Sequence, residues 1–331
     1  MNKKRILSGM RPTGRLHLGH LVGALNNWVA LQEEYDCFFM VADWHALMSE
    51  YENSSVIKES LYENVADWLA CGIDPEKSTV FIQSEVPEHL ELYMAFSVLT
   101  PLGWLERCPT YKEQMRELKD RHIQTFAFLG YPVLQAADIC LYKGNVVPVG
   151  EDQLPHLELT REIVRKFNGL YRDIFPEPKP LLTNVPRLMG LDGRKMSKSY
   201  GNFVALSDPA DVVAKKIQGM FTDPKRIKRD DEGHPDKCNV HQYYSVFVPG
   251  MKEEVAHWCR HAERGCTECK KILAEKLNNM LAPIQEKRRE YTEDTKKLDK
   301  ILDIGRQKAS AAAKITLKEL KDSIGLPCHI K

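Results

Sequence analysis

The stretch RILSGMRPTGRLHLGHLVGALNNWVALQEEYDCFFMVAD, Arg5 to Asp43, sets the pattern that the rest of the chain repeats. "RILS" reads as a short strand and "DCFFMVAD" as a buried apolar strand. Between them "HLGHLVGALNNWVALQ" reads as a helix, with Leu18, Leu21, Val22, Leu25 and Val29 at helical spacing. Further along, "SSVIKESLYENVADWLACG" is a helix with a serine cap and a glycine stop, and "STVFIQS" is a strand. "FLGYPVLQAADICLYK" and "QLPHLELTREIVRKFN" read as helices on either side of the strand-like "NVVPV". Alternation of this kind predicts an α/β fold with a mostly parallel sheet and helices on its faces. In such sheets ligands bind beyond the carboxyl ends of the strands.

The texture changes near residue 176. "FPEPKP" reads as a stiff linker, and "LDGRKMSKSYGN" as a polar loop rich in glycine, serine and lysine. "SDPADVVAKKIQGMF" is a capped helix, and from there the chain reads as helical apart from "TDPKRIKRDDEGHPDKCN". A boundary is expected near residue 204, with residues 1–204 forming the α/β domain and 205–331 a helical one.

The chain has 331 residues and nine cysteines, with a formal net charge of +1. Residues 1–204 carry 22 Lys/Arg against 26 Asp/Glu, and residues 205–331 carry 25 against 20, so the halves differ by sign, −4 and +5. The second half is the better candidate for a polyanion contact. The start is polar and no apolar run of membrane-spanning length follows, so neither a signal peptide nor a membrane span is expected. Many cysteines without a secretory signal suit a reduced, cytoplasmic protein.

Two motifs carry chemistry. HLGH lies at the junction of the first strand and the first helix, where backbone amides favour an anion. Gly19 lets a flat base or a phosphate approach the backbone, and His17 and His20 add donors for developing charge. KMSKS, Lys195 to Ser199, places two mobile cations and two hydroxyls in a loop flanked by Gly193 and Gly201, suited to close over a triphosphate.

Together, HLGH and KMSKS resemble the signatures of class I aminoacyl-tRNA synthetases. "VPVGEDQLPHLELTREI", "YPVLQAADI" and "FIQSE" resemble the bacterial-type tryptophanyl members over nearly the whole chain. The resemblance implies a Rossmann-type catalytic domain, a helical anticodon-side domain, a homodimer, ATP with Mg²⁺, L-tryptophan and tRNA(Trp). It implies ATP contacts at Arg11, Pro12, Thr13, Gly19, His20, Gly150, Glu151, Asp152, Leu188, Lys195, Met196, Ser197, Lys198 and Ser199. Lys195 and Lys198 would hold the leaving pyrophosphate. Indole N–H is a lone donor, so a tryptophan pocket needs one placed acceptor. Asp138 matches the family position for it, with Tyr131, Gln153, His45 and Leu7 as further pocket candidates and Gln135 without an assigned role. A tyrosyl-tRNA synthetase, a small HIGH-type nucleotidyltransferase and a non-catalytic RNA-binding paralogue are the alternatives.

Four cysteines stand apart. Cys238, Cys259, Cys266 and Cys269 follow the spacing C-x20-C-x6-C-x2-C. Cys259 is expected near the end of a helix closed by Gly265. Cys266 and Cys269 share a face at the start of the next helix, where a helix N-terminus favours thiolate. Four thiolates can hold Zn²⁺ or a [4Fe–4S] cluster. Some bacterial tryptophanyl-tRNA synthetases resemble this pattern and carry a [4Fe–4S] cluster, so the cluster is favoured and zinc is the alternative. Cys37, Cys71, Cys108, Cys140 and Cys328 are read as small buried hydrophobes.

Overall fold

The computed structural model describes residues 3–109, 111, 112, 115, 122–182 and 188–327. In chain order its elements are β1 Arg5–Met10, α1 Leu18–His20, α2 Asn26–Glu34, β2 Asp36–Val41, α3 Asp43–Glu50, α4 Ser55–Ala70, β3 Ser78–Ile82, α5 Glu88–Leu99 and α6 Leu102–Arg107. They continue with α7 Phe126–Leu141, β4 Val146–Val149, α8 Leu154–Leu170, β5 Lys179–Leu182, α9 Ala210–Gln218, α10 Asn239–Phe247, α11 Lys252–Arg260, α12 Cys266–Glu293 and α13 Thr295–Ile324. A π-helical turn, Leu21–Leu25, joins α1 to α2.

The five strands form one parallel sheet in the order β3-β2-β1-β4-β5. β1 lies at the point where the strand order reverses, and the crevice above the carboxyl ends of β1 and β4 is the expected ligand site of such a sheet. Arg11–Thr13 leave β1 there, and Gly150–Asp152 leave β4. β2 and β3 are almost wholly buried, in keeping with a sheet covered on both faces. "FPEPKP" is not linker throughout. Lys179 and Pro180 begin β5, an edge strand, where proline's missing N–H is tolerated.

The chain divides into two compact units, one of Met1–Gly14, Asn27–Asn184 and Asp294–Lys331, the other of Arg15–Asn26 and Val185–Glu293. The first unit therefore includes the last helix, which a single division at residue 204 would place with the helical part. The cause is close packing on the sheet. A side chain at Gly305 would lie 1.7 Å from the Val80 carbonyl oxygen, so only glycine lets α13 press against β3. One turn further on, Ala309 and Ala313 are fully buried in the core with Phe81, Phe96 and Tyr142. Ser310 donates to Glu88 (3.0 Å), and Lys321 pairs with Glu91 (2.6 Å).

Local signals held with three differences, one being that α9, with Pro209 at its N-cap position, has no side-chain cap bond. Gly72, at φ +111°, ends α4 as expected, but Ser54 makes no side-chain cap bond. α11 stops at Arg260, with Ala262 in the left-handed region (φ 54°), so Gly265 stands before α12 and does not close α11.

Candidate active site

In the second unit the two motifs touch. His17 caps α1, its Nδ1 accepting from the Gly19 N–H (3.1 Å), while the His17 N–H donates to Nδ1 of His20 (3.2 Å). The ring centroids are 3.8 Å apart. Burial, then the charge of Lys198, lowers the His17 pKa to about 4. Burial, with His17 and Lys198 adding to it, holds His20 well below the ordinary imidazole value. Both rings are thus neutral near pH 7. With each Nδ1 accepting, the remaining proton sits on Nε2, and each ring presents one N–H donor. A Cβ on Gly19 would come within 3.0 Å of the His17 ring and of the Met196 sulfur. Glycine is therefore needed where HLGH meets the lysine loop. The segment after that loop is stitched to the same motif, with Leu18 N–H on the Val204 carbonyl (3.1 Å) and Leu206 N–H on that of Leu16 (3.0 Å).

Asn202 organises the loop and was not singled out from the sequence, where an asparagine after glycine reads as a turn residue. Its buried Nδ2 donates to Asp192 (2.8 Å) and to the Lys195 carbonyl (3.1 Å), and its Oδ1 accepts from the Ser197 N–H (2.9 Å). A Cβ on Gly190 would fall 2.1 Å from that Nδ2. The Asn202 bond, with Arg194, holds the Asp192 carboxyl down at about 2. The side chain of Ser199, like Cys328, lies outside the described residues.

In the first unit Asp138, on α7, is 1 % exposed. In place of the expected apolar walls, a polar network surrounds the carboxylate. Oδ1 accepts from Gln83 Nε2 (2.8 Å) and faces His89 Nδ1 (2.6 Å), and Oδ2 faces His45 Nε2 (2.7 Å). Burial raises the carboxyl pKa, but the hydrogen bonds and charges of His45 and His89 outweigh it and hold Asp138 at about 2. The Tyr142 hydroxyl lies 2.8 Å from His89 Nε2, so both nitrogens of that ring are engaged and Nδ1 serves Asp138. With two donors on Oδ1 and one on Oδ2, Oδ2 keeps a lone pair for a further donor. A second relay joins Tyr131 and Gln153 through His156. Nδ1 of His156 meets Gln153 Oε1 (3.0 Å), so Nε2 accepts from the Tyr131 hydroxyl (2.7 Å). Burial, against the pull of Asp152 and helped by His45, lowers His156 to about 4, consistent with that neutral tautomer. Leu7, on β1, is buried in the same core cluster as Val133 and Ala137 of α7. Gln83 and His156 stand within the quoted "FIQSE" and "GEDQLPHLELTR", but nothing local marked them as partners.

Arg11 reaches the Ser49 hydroxyl (3.4 Å), and the Gly14 N–H (φ +105°) donates to Ser60 (2.7 Å). These bonds fix the turn that leaves β1. A Cβ on Gly150 would meet Asp152 Oδ1 at 2.6 Å, so the exposed carboxylate of Asp152 would have to turn aside to admit a side chain there.

The four clustered cysteines all lie in the second unit. Among the described residues no three His, Cys, Asp or Glu side chains are gathered so as to hold a metal ion. The thiols do act on one another electrostatically. Burial raises Cys238, Cys259 and Cys269, and neighbouring thiols add to the rise, taking Cys269 to about 12. At Cys269 this runs against the thiolate-favouring effect expected from the helix N-terminus. Burial and the neighbouring thiols outweigh the dipole there, and a bound cation would favour the thiolate. None of the eight described cysteines is in a disulfide. Cys37, Cys108 and Cys140 are buried, while Cys71 is half-buried at the end of α4.

Residues 1–282 match the family described as tRNA synthetases class I (W and Y). The chain is 50 % identical to a tryptophan–tRNA ligase of Thermotoga maritima over 327 residues, covering 97 % of this chain and 99 % of that one. It is 43 % identical to the Aquifex aeolicus tryptophan–tRNA ligase, covering 98 % and 100 %. The crystal structure of tryptophanyl-tRNA synthetase from Campylobacter jejuni with ADP and tryptophan superposes with a TM-score of 0.88 at 34 % identity, over 97 % of this chain and all of that one. The chain belongs to the class I tRNA synthetases of the tryptophan and tyrosine group, and within it to the tryptophan–tRNA ligases.

Proposed function

We infer that the chain activates L-tryptophan with ATP and transfers it to tRNA(Trp), and that the two groups of side chains supply separate parts of this reaction. In activation, a tryptophan carboxylate oxygen bonds to the α-phosphorus. The bond from that phosphorus to the bridging oxygen breaks, and its electrons leave on pyrophosphate. A hydroxyl of the 3′-terminal ribose of the tRNA then bonds to the carbonyl carbon of the adenylate, giving up its proton, and the bond to the phosphate oxygen breaks so that AMP leaves. Positioning and charge stabilisation suffice for such steps, without a covalent nucleophile. Lys195 and Lys198 hold the leaving pyrophosphate, and the Nε2–H groups of His17 and His20 donate to phosphate oxygens. Arg11, Pro12, Thr13, Gly19, Gly150, Glu151, Asp152, Leu188, Met196, Ser197 and Ser199 complete the contacts to ATP, which binds with Mg²⁺. Asp138 accepts the indole N–H, with Tyr131, Gln153, His45 and Leu7 around the ring.

The approach of Met196 to Gly19, its sulfur 3.0 Å from where a Cβ there would stand, brings both motifs together and carries this reading. Pyrophosphate exchange into ATP, assayed with each amino acid in turn, is expected to run with tryptophan alone. Exchange driven by tyrosine would move the chain to the other branch of its family.

The four thiols suit a [4Fe–4S] cluster, with zinc the alternative. The Val240 and His241 N–H groups point at the Cys238 sulfur, and Arg226 reaches that of Cys259. Such donors are what a thiolate-bound cluster takes up at its sulfurs. A four-iron cube also spreads its ligands wider than a single ion does. Its place is structural or tRNA-positioning. Arg260, Arg264, Lys270 and Lys271 lie near it in sequence as phosphate contacts, and Arg226, Lys228 and Arg229 line a cavity with Cys266 beside Ile227, which is 86 % exposed. Protein purified without oxygen is expected to be brown, with about four irons and four sulfides per chain. One zinc per colourless chain would replace the cluster, and metal-free folded protein would remove the site.

A homodimer is proposed through α5 and its neighbours. Met94 and Val98, one turn apart on α5, with Leu102 and Phe126, are large apolar residues left exposed in the single chain. Sedimentation at the mass of one chain would refute it. No described helix is long and apolar enough to cross a membrane, and a cytoplasmic location is proposed because the eight described cysteines form no disulfide.

A further inference from the structure

One short helix holds the stem of the lysine loop and carries a thiol of the four-cysteine group at its head. α10 begins at buried Asn239, whose Nδ2 donates to the Gly190 carbonyl (2.8 Å). One turn on, fully buried Tyr243 donates its hydroxyl to the Met189 carbonyl (2.9 Å). Met189 and Gly190 are themselves the partners of the loop's start. Met189 bridges Lys195 in antiparallel fashion, and the Gly190 N–H donates to the Arg194 carbonyl (2.7 Å). Each carbonyl that α10 grips is thus one residue or less from a backbone bond to the residues that begin KMSKS. The Oδ1 of Asn239 is buried without a partner. An apolar residue of that size would avoid this cost, so what the amide supplies is its directed hold on Gly190. Cys238 is the N-cap residue of the same helix, and Tyr244, beside Tyr243, donates to the Cys269 carbonyl (2.8 Å). A cavity lined by Met189, Gly193, Cys238, Asn239, His241 and Gln242 lies along this connection.

We propose that Asn239 and Tyr243 are positioning residues for the phosphate-holding loop, and that α10 transmits the state of the four thiols to that loop. The proposal rests on the ATP reading of Lys195–Ser199. Side chains at positions 239 and 243 act on the loop lysines through the backbone of 189–195. A displacement of the helix at Cys238 moves both anchors together, because they lie within its first turn and a half.

Tyr243→Phe removes one oxygen from a buried ring, and Asn239→Ala removes the other anchor. Both are expected to lower kcat of tryptophan-dependent pyrophosphate exchange about three- to tenfold, the scale of one buried hydrogen bond, with the KM for tryptophan within twofold. Amide hydrogen exchange over residues 188–202 should speed up in both. Cys238→Ser should speed the same amides, and do so much less once position 243 is Phe. Folded variants with unchanged kcat and unchanged exchange at 188–202 would overturn the positioning role. Strictly additive effects of Cys238→Ser and Tyr243→Phe would overturn transmission through α10. Full activity in Lys195→Ala would instead refute the ATP reading, while hydrogen exchange still reports on the anchors.

Discussion

Replacing Lys195 or Lys198 with alanine is expected to slow tryptophan-dependent pyrophosphate exchange about a hundredfold, the usual cost of one preorganised group that meets charge only in the transition state. Tryptophan binding, measured by fluorescence quenching or calorimetry, should change less than twofold. The reason is differential. Negative charge grows on the bridging oxygen as the α-phosphate bond breaks, so a cation there lowers the barrier more than it strengthens ground-state binding. Lys198 lies close enough to His17 and His20 to depress both their pKa values. Its removal should let both rings titrate nearer to the ordinary imidazole range, and nuclear magnetic resonance of the ring protons would report it. Full activity in both lysine variants would show that the loop does not meet the phosphates.

Asp138→Ala has the second large effect, and it acts on two observables. The lost indole acceptor should reduce kcat/KM for tryptophan more than tenfold, with selectivity over phenylalanine falling in parallel. The same change leaves His45, His89 and Gln83 facing an empty position, and stripping one partner from a buried ionic network costs about 3–5 kcal/mol of stability. Asp138→Asn separates the two. It keeps the volume and one acceptor oxygen but loses the charge, so it should fold better than the alanine variant and still discriminate poorly. The carboxyl's depressed pKa has a defined sign. Its folded value, about 2, lies below its unfolded value near 3.8, so its contribution is complete above pH 4 and fades as pH falls toward 2. The difference in stability between wild type and Asp138→Asn should narrow across that window. Unchanged discrimination in a folded Asp138→Asn enzyme would remove the residue from the pocket.

Much of this molecule can be read locally. The apolar runs of Cys37–Val41 and Val80–Ile82, and the helical spacing from Leu18 onward, were enough to predict a parallel sheet flanked by helices. A strand or helix declares itself through side-chain periods of two or 3.6 within a few residues. HLGH, KMSKS and the cysteine spacing were legible for the same reason, as short runs of contiguous chemistry. What stayed hidden depends on contacts between residues far apart in the chain. Asp138 gains its partners from positions 45, 83 and 89, and no pattern at any one of these predicts the others. Asn202 becomes the clamp of the lysine loop only because folding buries its amide against Asp192, Lys195 and Ser197. The last helix returns to the sheet because Gly305 permits a backbone approach that its own helical period does not announce. The Cys269 thiol ran opposite to expectation because burial and three neighbouring sulfurs outweighed a helix terminus. Sequence determined which elements form and which chemical groups are present. Tertiary structure decided which of those groups share a low-dielectric neighbourhood, and pKa values, tautomers and hydrogen-bond direction follow from that neighbourhood.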